Sequence, residues 1–583
     1  MYLMDYQILP RYHRLREGLE HIYFDDLWYL FHVGDLVCFN DESLKGMGIN
    51  SHTSQIWRII SFRTDRQRDR KASSLDAPAM AHELVAYCID HDGTSYMSVR
   101  KVFRIDSYAG SRDPLGLSIK PLRLLENYQQ IVEDSKVAGK LFTQQLQKRF
   151  LHHDGLMFSV WHGSNDLERI YKPEYFKGEV AVDLTEAYFT HPSWRPKLSE
   201  EGLQEIHRLA GDEIGAPGVV LDPWEDLNAA KDTENMPALT GNIATTIPEN
   251  DLALLPKTIP VFAIKEREFV LAHPKNLSEV QEPEQIFAML RIPEKHKMMI
   301  RGLIASHFER RELEAAGMPV DTQDLISGKG QGLIILLHGS PGVGKTATAE
   351  AIARETKKPL FSITCGDLGY TPSDVETSLK SMFRRAAMWN CVTLLDEADV
   401  FLSQRNKTDL KRNALVSVFL RSLEYYSGIL FLTTNRPGAL DEAIKSRVHL
   451  SLYYPPLGKQ ETLDVFDINL DRLHRLEEQR YKASKQPSLF IFRDDIRKWA
   501  ATHFDKCGKD NGSGRWNGRQ IRNAFQIASA LALYELRNNP GAQAQLRPSH
   551  FDTVSEATTS YDKYRAAVLG KADDELAHQN NDR

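Results

Sequence analysis

Between residues 332 and 454 the chain alternates short, almost wholly apolar runs with amphipathic segments of helical spacing. The apolar runs are "GLIILLH", "PLFSITC", "CVTLLDE", "GILFLTTN" and "VHLSLYY". A strand that is apolar along its whole length has both faces covered, and strands joined by helices run parallel. The pattern therefore predicts an α/β core in which a parallel five-stranded sheet is covered by helices. Few other architectures accept it.

The first run is followed by "GSPGVGKT" and then by a helical segment, "TATAEAIARE". Gly339, Ser340, Pro341, Gly342, Val343, Gly344, Lys345 and Thr346 match G-x-x-x-x-G-K-[ST] in the strand-loop-helix setting that the motif needs. Glycines let backbone N–H groups wrap a polyphosphate, and the helix N-terminus adds partial positive charge. Lys345 is expected to reach the β- and γ-phosphates and the Thr346 hydroxyl to bind Mg²⁺. A chance match is the competing explanation, and the strand-loop-helix setting argues against it.

The third run ends in two carboxylates, Asp396 and Glu397. Parallel strands present their C-terminal ends on one edge of the sheet, so the pair falls beside the glycine-rich loop. Asp396 suits a second, water-mediated contact to Mg²⁺, and Glu397 is placed to orient or deprotonate an attacking water. Asn435, with Thr434, ends the fourth run on the same edge and is expected to hold that water from the other side. Alone, an Asp-Glu pair is a common solvated strand end and an asparagine a turn former. Together with the loop they describe a nucleotide hydrolase.

Arg447 precedes the fifth run, which places it at the opposite edge of the sheet. Seven residues of strand put it roughly 20 Å from its own phosphates, beyond the reach of an arginine. It either serves a neighbouring subunit or is a surface cation. Arg519 opens a helix after Gly518 in "RWNGRQIRNAFQIASALA" and is expected to fold back onto the γ-phosphate of its own subunit; the alternative is a basic residue of an amphipathic helix.

These residues together resemble the AAA ATPases of the AAA+ class, over about residues 325 to 535. The wording around them is similar to a fungal family with an uncharacterised N-terminal domain, which "FDDLWYLFHVGDLV" and "WRIISF" also resemble. The resemblance implies ATP and Mg²⁺ as cofactors, Walker A at Gly339–Thr346, Walker B at Asp396-Glu397, sensor 1 at Asn435, an arginine finger at Arg447 and a sensor 2 arginine at Arg519. It also implies a homo-oligomer, usually a hexamer, with an N-terminal module for a protein substrate or adaptor. Two departures stand out. Ser446 occupies a position where many such proteins carry a second arginine. In "CGDLGYTPSD", Tyr370 is the candidate pore-loop aromatic, but Thr371 and Pro372 replace the apolar residue and glycine of chains that thread polypeptide.

At 583 residues the chain is too long for one core. Residues 1–190 read as a β-rich N-terminal domain interrupted by a helix over about 122–150, with further strands at 156–161 and 179–185. Residues 191–256 read as a polar, acidic, partly disordered linker. Residues 257–457 read as the ATPase core with a preceding strand ("VFAIKEREFVL") and helix, and 458–583 as an α-helical lid and tail. The basic run "RTDRQRDRK" carries interleaved aspartates and no aromatics, which favours a solvated loop. Five cysteines without a C-x-x-C pair argue for reduced thiols and against a zinc site.

A net charge of −6, with 42% hydrophobic and 26% charged residues, describes a globular chain and opposes nucleic acid as a standing partner. With no signal peptide and no run of about 18 apolar residues, no membrane association is expected, and the cytoplasm or nucleus is the expected location. The expected activity is Mg²⁺-dependent ATP hydrolysis by an oligomer that remodels a protein partner. A slow, ATP-gated switch or scaffold is the alternative, and a DNA-handling ATPase a third.

Overall fold

The computed structural model describes residues 21–39, 55–64, 81–162, 169–196, 247–280, 287, 290–318, 331–369, 371–405, 409–484, 489–508, 514–538 and 544–569. The chain divides into two compact units, Met1–Gln281 and Glu282–Arg583. The basic run beyond Thr64, the middle of the expected linker (197–246), Tyr370 and the tail beyond Leu569 lie outside the described residues.

The first unit is built on two five-stranded sheets. One is antiparallel and runs in the order Tyr96–Asp106, Ala81–His91, Ile56–Thr64, Leu36–Phe39, Ile119–Pro121. The other runs Glu268–Ala272, Ile259–Ala263, Arg169–Val182, Phe150–His162, Leu277–Ser278, and a further pairing of Leu271 with Phe158 joins its first and fourth strands. Buried side chains from both sheets and from the helix Tyr128–Leu146 share one core, including Ile56, Tyr87, Phe142, Leu151, Phe176 and Val180. Gly139 lets that helix come close to its neighbour: a Cβ there would lie 2.1 Å from the carbonyl oxygen of Leu252.

Here the observed boundaries differ from the sequence reading. The strand "VFAIKEREFVL" does not lead into the nucleotide core. It forms the hairpin Ile259–Ala263 and Glu268–Ala272, whose first strand pairs with Val180, Ala181 and Val182. The described ends of the expected linker are also structured. Pro192–Trp194 and Glu249–Leu254 are 3-10 turns, Leu254 and Leu255 belong to the core, and Asp251 forms an ion pair with Arg58. A hairpin buries its apolar face wherever a sheet offers an edge, and that partner lies some eighty residues away in sequence.

In the second unit we number the principal elements separately. Helix α1 is Glu294–Ala315. Strands β1 (Leu333–Gly339), β2 (Leu360–Ile363), β3 (Val392–Leu395), β4 (Ile429–Thr434) and β5 (Leu450–Tyr454) form one parallel sheet in the order β2-β3-β4-β1-β5. Helices α2 (Lys345–Glu355), α3 (Pro372–Met388) and α4 (Leu410–Glu424) connect them. Thr371 and Pro372 have a local purpose: the Thr371 hydroxyl accepts the backbone N–H of Asp374 at 3.2 Å, capping α3, and Pro372 fills its first position.

Helices α5 (Lys459–Ser484), α6 (Arg493–Gly508), α7 (Gly518–Asn538) and α8 (Pro548–Leu569) follow. They close around Phe466, Trp516, Phe525 and Phe551. One feature departs from the all-helical expectation: Phe490–Ile491 and Gln545–Leu546 pair as a short parallel bridge. No helix among the described residues is long and apolar enough to cross a membrane.

Candidate active site

The glycine-rich loop follows β1 at the C-terminal edge of the sheet. Gly339 needs its missing side chain, because a Cβ would stand 2.2 Å from the carbonyl oxygen of Tyr454 on β5. Gly342 and Gly344 adopt φ of +75° and +104°, the left-handed region that glycine occupies without steric cost. Gly344 is the N-cap of α2, so the first N–H groups of that helix are directed into the loop.

Lys345 is buried, and its amine donates to Gly339 O at 2.8 Å, Ser340 O at 2.7 Å and Asn435 Oδ1 at 2.8 Å. The loop lysine and the asparagine after β4 are thus in direct contact. His338, the residue before Gly339, is held below its ordinary pKa by burial and then by the charge of Lys345. It stays neutral near pH 7 and leaves Lys345 as the cation of this corner.

The acidic side assembles from β3 and β4. The Thr346 hydroxyl lies 3.3 and 3.2 Å from the two carboxylate oxygens of Asp396. This hydroxyl–carboxylate pair is the hard-oxygen set that Mg²⁺ accepts, and it stands at the N-terminus of α2 beside the loop. Glu397 is exposed and has φ of +54°, an uncommon conformation for a residue with a side chain. Its neighbour Asp399 accepts a hydrogen bond from the Thr434 hydroxyl at 2.8 Å. Thr434, expected to help Asn435 hold a water, is therefore turned toward Asp399 and toward the N–H of Arg436 at 2.9 Å.

Arg447 stands apart from these groups. Tyr454 pairs with Gly339 at the loop edge and Leu450 with Ile335, so Arg447 lies beyond the other edge of the sheet. There its guanidinium donates to Ala443 O at 2.8 Å, to Leu420 O at 3.1 Å and to the carboxylate of Glu424 in the last turn of α4. Arg519 is exposed at the start of α7, next to Gly518, whose N–H donates to Gly342 O at 3.0 Å. Tyr370 lies outside the described residues.

Three participants escaped the sequence reading. Thr433 donates its hydroxyl to Asp396 and accepts the N–H of Glu397 at 3.2 Å. Glu424 carries the counter-charge of Arg447. Asn517 exchanges hydrogen bonds of 2.9 Å with Gln520 to start α7, and its side chain sits where a Cβ on Gly342 would be. The N-x-x-Q spacing of 517–520 is a reciprocal helix-start signal that could have been read.

Comparison with known proteins agrees with this geometry. Residues 335–456 match the ATPase family associated with various cellular activities (AAA). Residues 457–572 match the fungal AAA+ ATPase lid domain, and 14–126 match a domain of unknown function (DUF7025). The cell division control protein 48 homolog B of Arabidopsis thaliana is 33% identical over 148 residues, covering 23% of this chain and 24% of that protein. Fidgetin-like protein 1 of Drosophila melanogaster is 35% identical over 157 residues, covering 24% and 29%. A cell division cycle protein 48 homolog of Archaeoglobus fulgidus is 27% identical over 324 residues, covering 51% and 41%. The chain thus spans less than half the length of each of these relatives.

Proposed function

Residues 335–456 being an AAA ATPase domain and 457–572 its lid, we propose that this chain hydrolyses ATP with Mg²⁺ as an oligomer whose sites are shared between subunits, and that it remodels a protein partner. The observation that carries the reading is a separation. Lys345, Asn435, Thr346, Asp396 and Glu397 belong to one edge of the sheet, and Arg447 to the other.

In this mechanism the loop amides and Lys345 bind the β- and γ-phosphates, and Lys345 exchanges its carbonyl partners for phosphate oxygens. Thr346 and Asp396 would hold Mg²⁺, which when bound neutralises phosphate charge and fixes the nucleotide. Glu397 accepts a proton from the water that attacks the γ-phosphorus, and Asn435 orients that water. Arg519 reaches the γ-phosphate from the lid of the same subunit. Arg447 of the partner subunit stabilises the charge that spreads over the transferred phosphoryl group.

The first test is Glu397→Gln, which should bind ATP without cleaving it. Its mass by light scattering is expected to rise to that of a closed ring with Mg-ATP, and not to rise when Arg447→Ala is added. A monomer under both conditions would return Arg447 to the role of a helix cap. A second reading, an ATP-gated switch, draws on the loop before α3. Thr371 and Pro372 are committed there to starting a helix, where threading chains carry an apolar residue and glycine. A substitution at Tyr370 separates the two readings: lost work on a partner with ATPase retained favours remodelling.

A further inference from the structure

Thr433 and Thr434 are adjacent, chemically identical and differently employed. Successive residues of a strand point to opposite faces, so only one of them can stand on the same face of the sheet as the Asp396 side chain. Leu395 on β3 pairs with Leu432 on β4, and continuing that register sets Thr433 beside Asp396. Thr433 is buried, at 1% exposure. Its hydroxyl has one proton and two lone pairs. The proton goes to Asp396 Oδ1, a lone pair accepts the Glu397 N–H at 3.2 Å, and the Thr433 carbonyl accepts the N–H of Ala398 at 2.8 Å. Three consecutive residues at the end of β3 are therefore tied to one residue of β4.

We infer that Thr433 is a positioning residue whose hydroxyl sets Asp396 and Glu397 in their working orientations; the inference rests on the active-site reading above. Asp396 is approached by Thr346 at 3.2 and 3.3 Å and by Thr433 from β4, so its carboxylate is oriented from both sides. Glu397 occupies the left-handed region at φ +54°, which a non-glycine residue holds only when its surroundings determine it. The bond from its N–H to Thr433 is one of those determinants. Without the hydroxyl, Asp396 is free to rotate away from Thr346, the Glu397 N–H loses its acceptor, and the aim of the Glu397 carboxylate is lost. Neither residue is replaced, yet both work less well.

The test uses the full chain and two substitutions: Thr433→Val, which keeps the volume and loses the hydroxyl, and Thr433→Ser, which keeps the hydroxyl and loses only the methyl. A fluorescent ATP analogue is titrated with Mg²⁺ and with EDTA, and turnover is measured on Mg-ATP. For Thr433→Val, affinity in EDTA is expected to match the parent. The gain in affinity from Mg²⁺ and the kcat should each fall about 10-fold or more, the size seen for groups that orient metal ligands. Thr433→Ser should restore both. If valine fails to fold, Thr433→Ala is measured in its place. A hydroxyl-free variant that binds Mg-ATP and turns it over like the parent, while Glu397→Gln is inactive, overturns the assignment. Normal turnover by Glu397→Gln would instead overturn the active-site reading beneath it.

Discussion

Arg447 and Glu424 form an ion pair in the last turn of α4, at the opposite edge of the sheet from the contact between Tyr454 and Gly339. The guanidinium also takes the carbonyls of Leu420 and Ala443, so it caps a helix of its own chain. If it also completes a neighbour's site, Arg447→Ala should keep ATP binding and lose turnover by about 10³-fold or more. Mixing Arg447→Ala with Glu397→Gln should restore part of the activity, because a site with intact Glu397 then receives Arg447 from the other variant. Phosphate release from the mixture no greater than from either variant alone would sink the shared-site reading.

Lys345 has three oxygen acceptors and little exposure, so its removal acts on the loop itself. Lys345→Ala is expected to weaken ATP binding by about 2–5 kcal/mol, the cost of truncating one member of a desolvated charged contact. Isothermal titration calorimetry would show this as a loss of roughly 30-fold or more. An unchanged affinity would remove Lys345 from the phosphate site.

His307 makes a prediction about acid stability. It is buried on α1, and burial first, then Arg310, Arg311 and His449, push its pKa down to about 4. The fold therefore holds it neutral, while the unfolded chain protonates it near pH 6.5. Its contribution is intact above about pH 6.5 and is lost as pH falls toward 4, by up to about 3 kcal/mol. Urea unfolding followed from pH 7 to pH 4.5 should show a shallower loss of stability in His307→Gln than in the parent. Equal slopes would mean that His307 is not held neutral.

Two helical glycines should respond with opposite signs. Gly302 lies on α1, and among the described residues nothing stands within 4 Å of where a Cβ would be, so Gly302→Ala is expected to stabilise by about 0.5–1 kcal/mol. At Gly139 the same change sets a methyl 2.1 Å from the carbonyl oxygen of Leu252. That collision outweighs helix propensity, and a net loss of about 1–3 kcal/mol is expected. Thermal unfolding of the two variants measures both, and a stabilised Gly139→Ala would contradict the close approach of that helix.

Where features are local, the sequence was enough to read them. The loop from Gly339 to Thr346 is contiguous and carries its own turn chemistry, and the position of Asp396-Glu397 beside it follows from the direction of parallel strands. The opposite-edge placement of Arg447 came from counting along one strand. The hairpin at 259–272 misled that reading, because an apolar hairpin does not state which sheet it will join. Its partner at Val180–Val182 belongs to a segment far away in the chain.

What the sequence by itself determined is the candidate groups around the glycine-rich loop and the edge of the sheet on which Asp396, Asn435 and Arg447 fall, because strand direction and loop chemistry are properties of contiguous residues. What only the tertiary structure decided is which near-identical neighbour does the work and what each charge is paired with. "TT" at 433–434 does not say which threonine faces Asp396, and nothing near Arg447 in the chain announces Glu424, 23 positions earlier. Both depend on the register of one element against another, which is fixed when apolar faces are buried together and is written in no single stretch of residues.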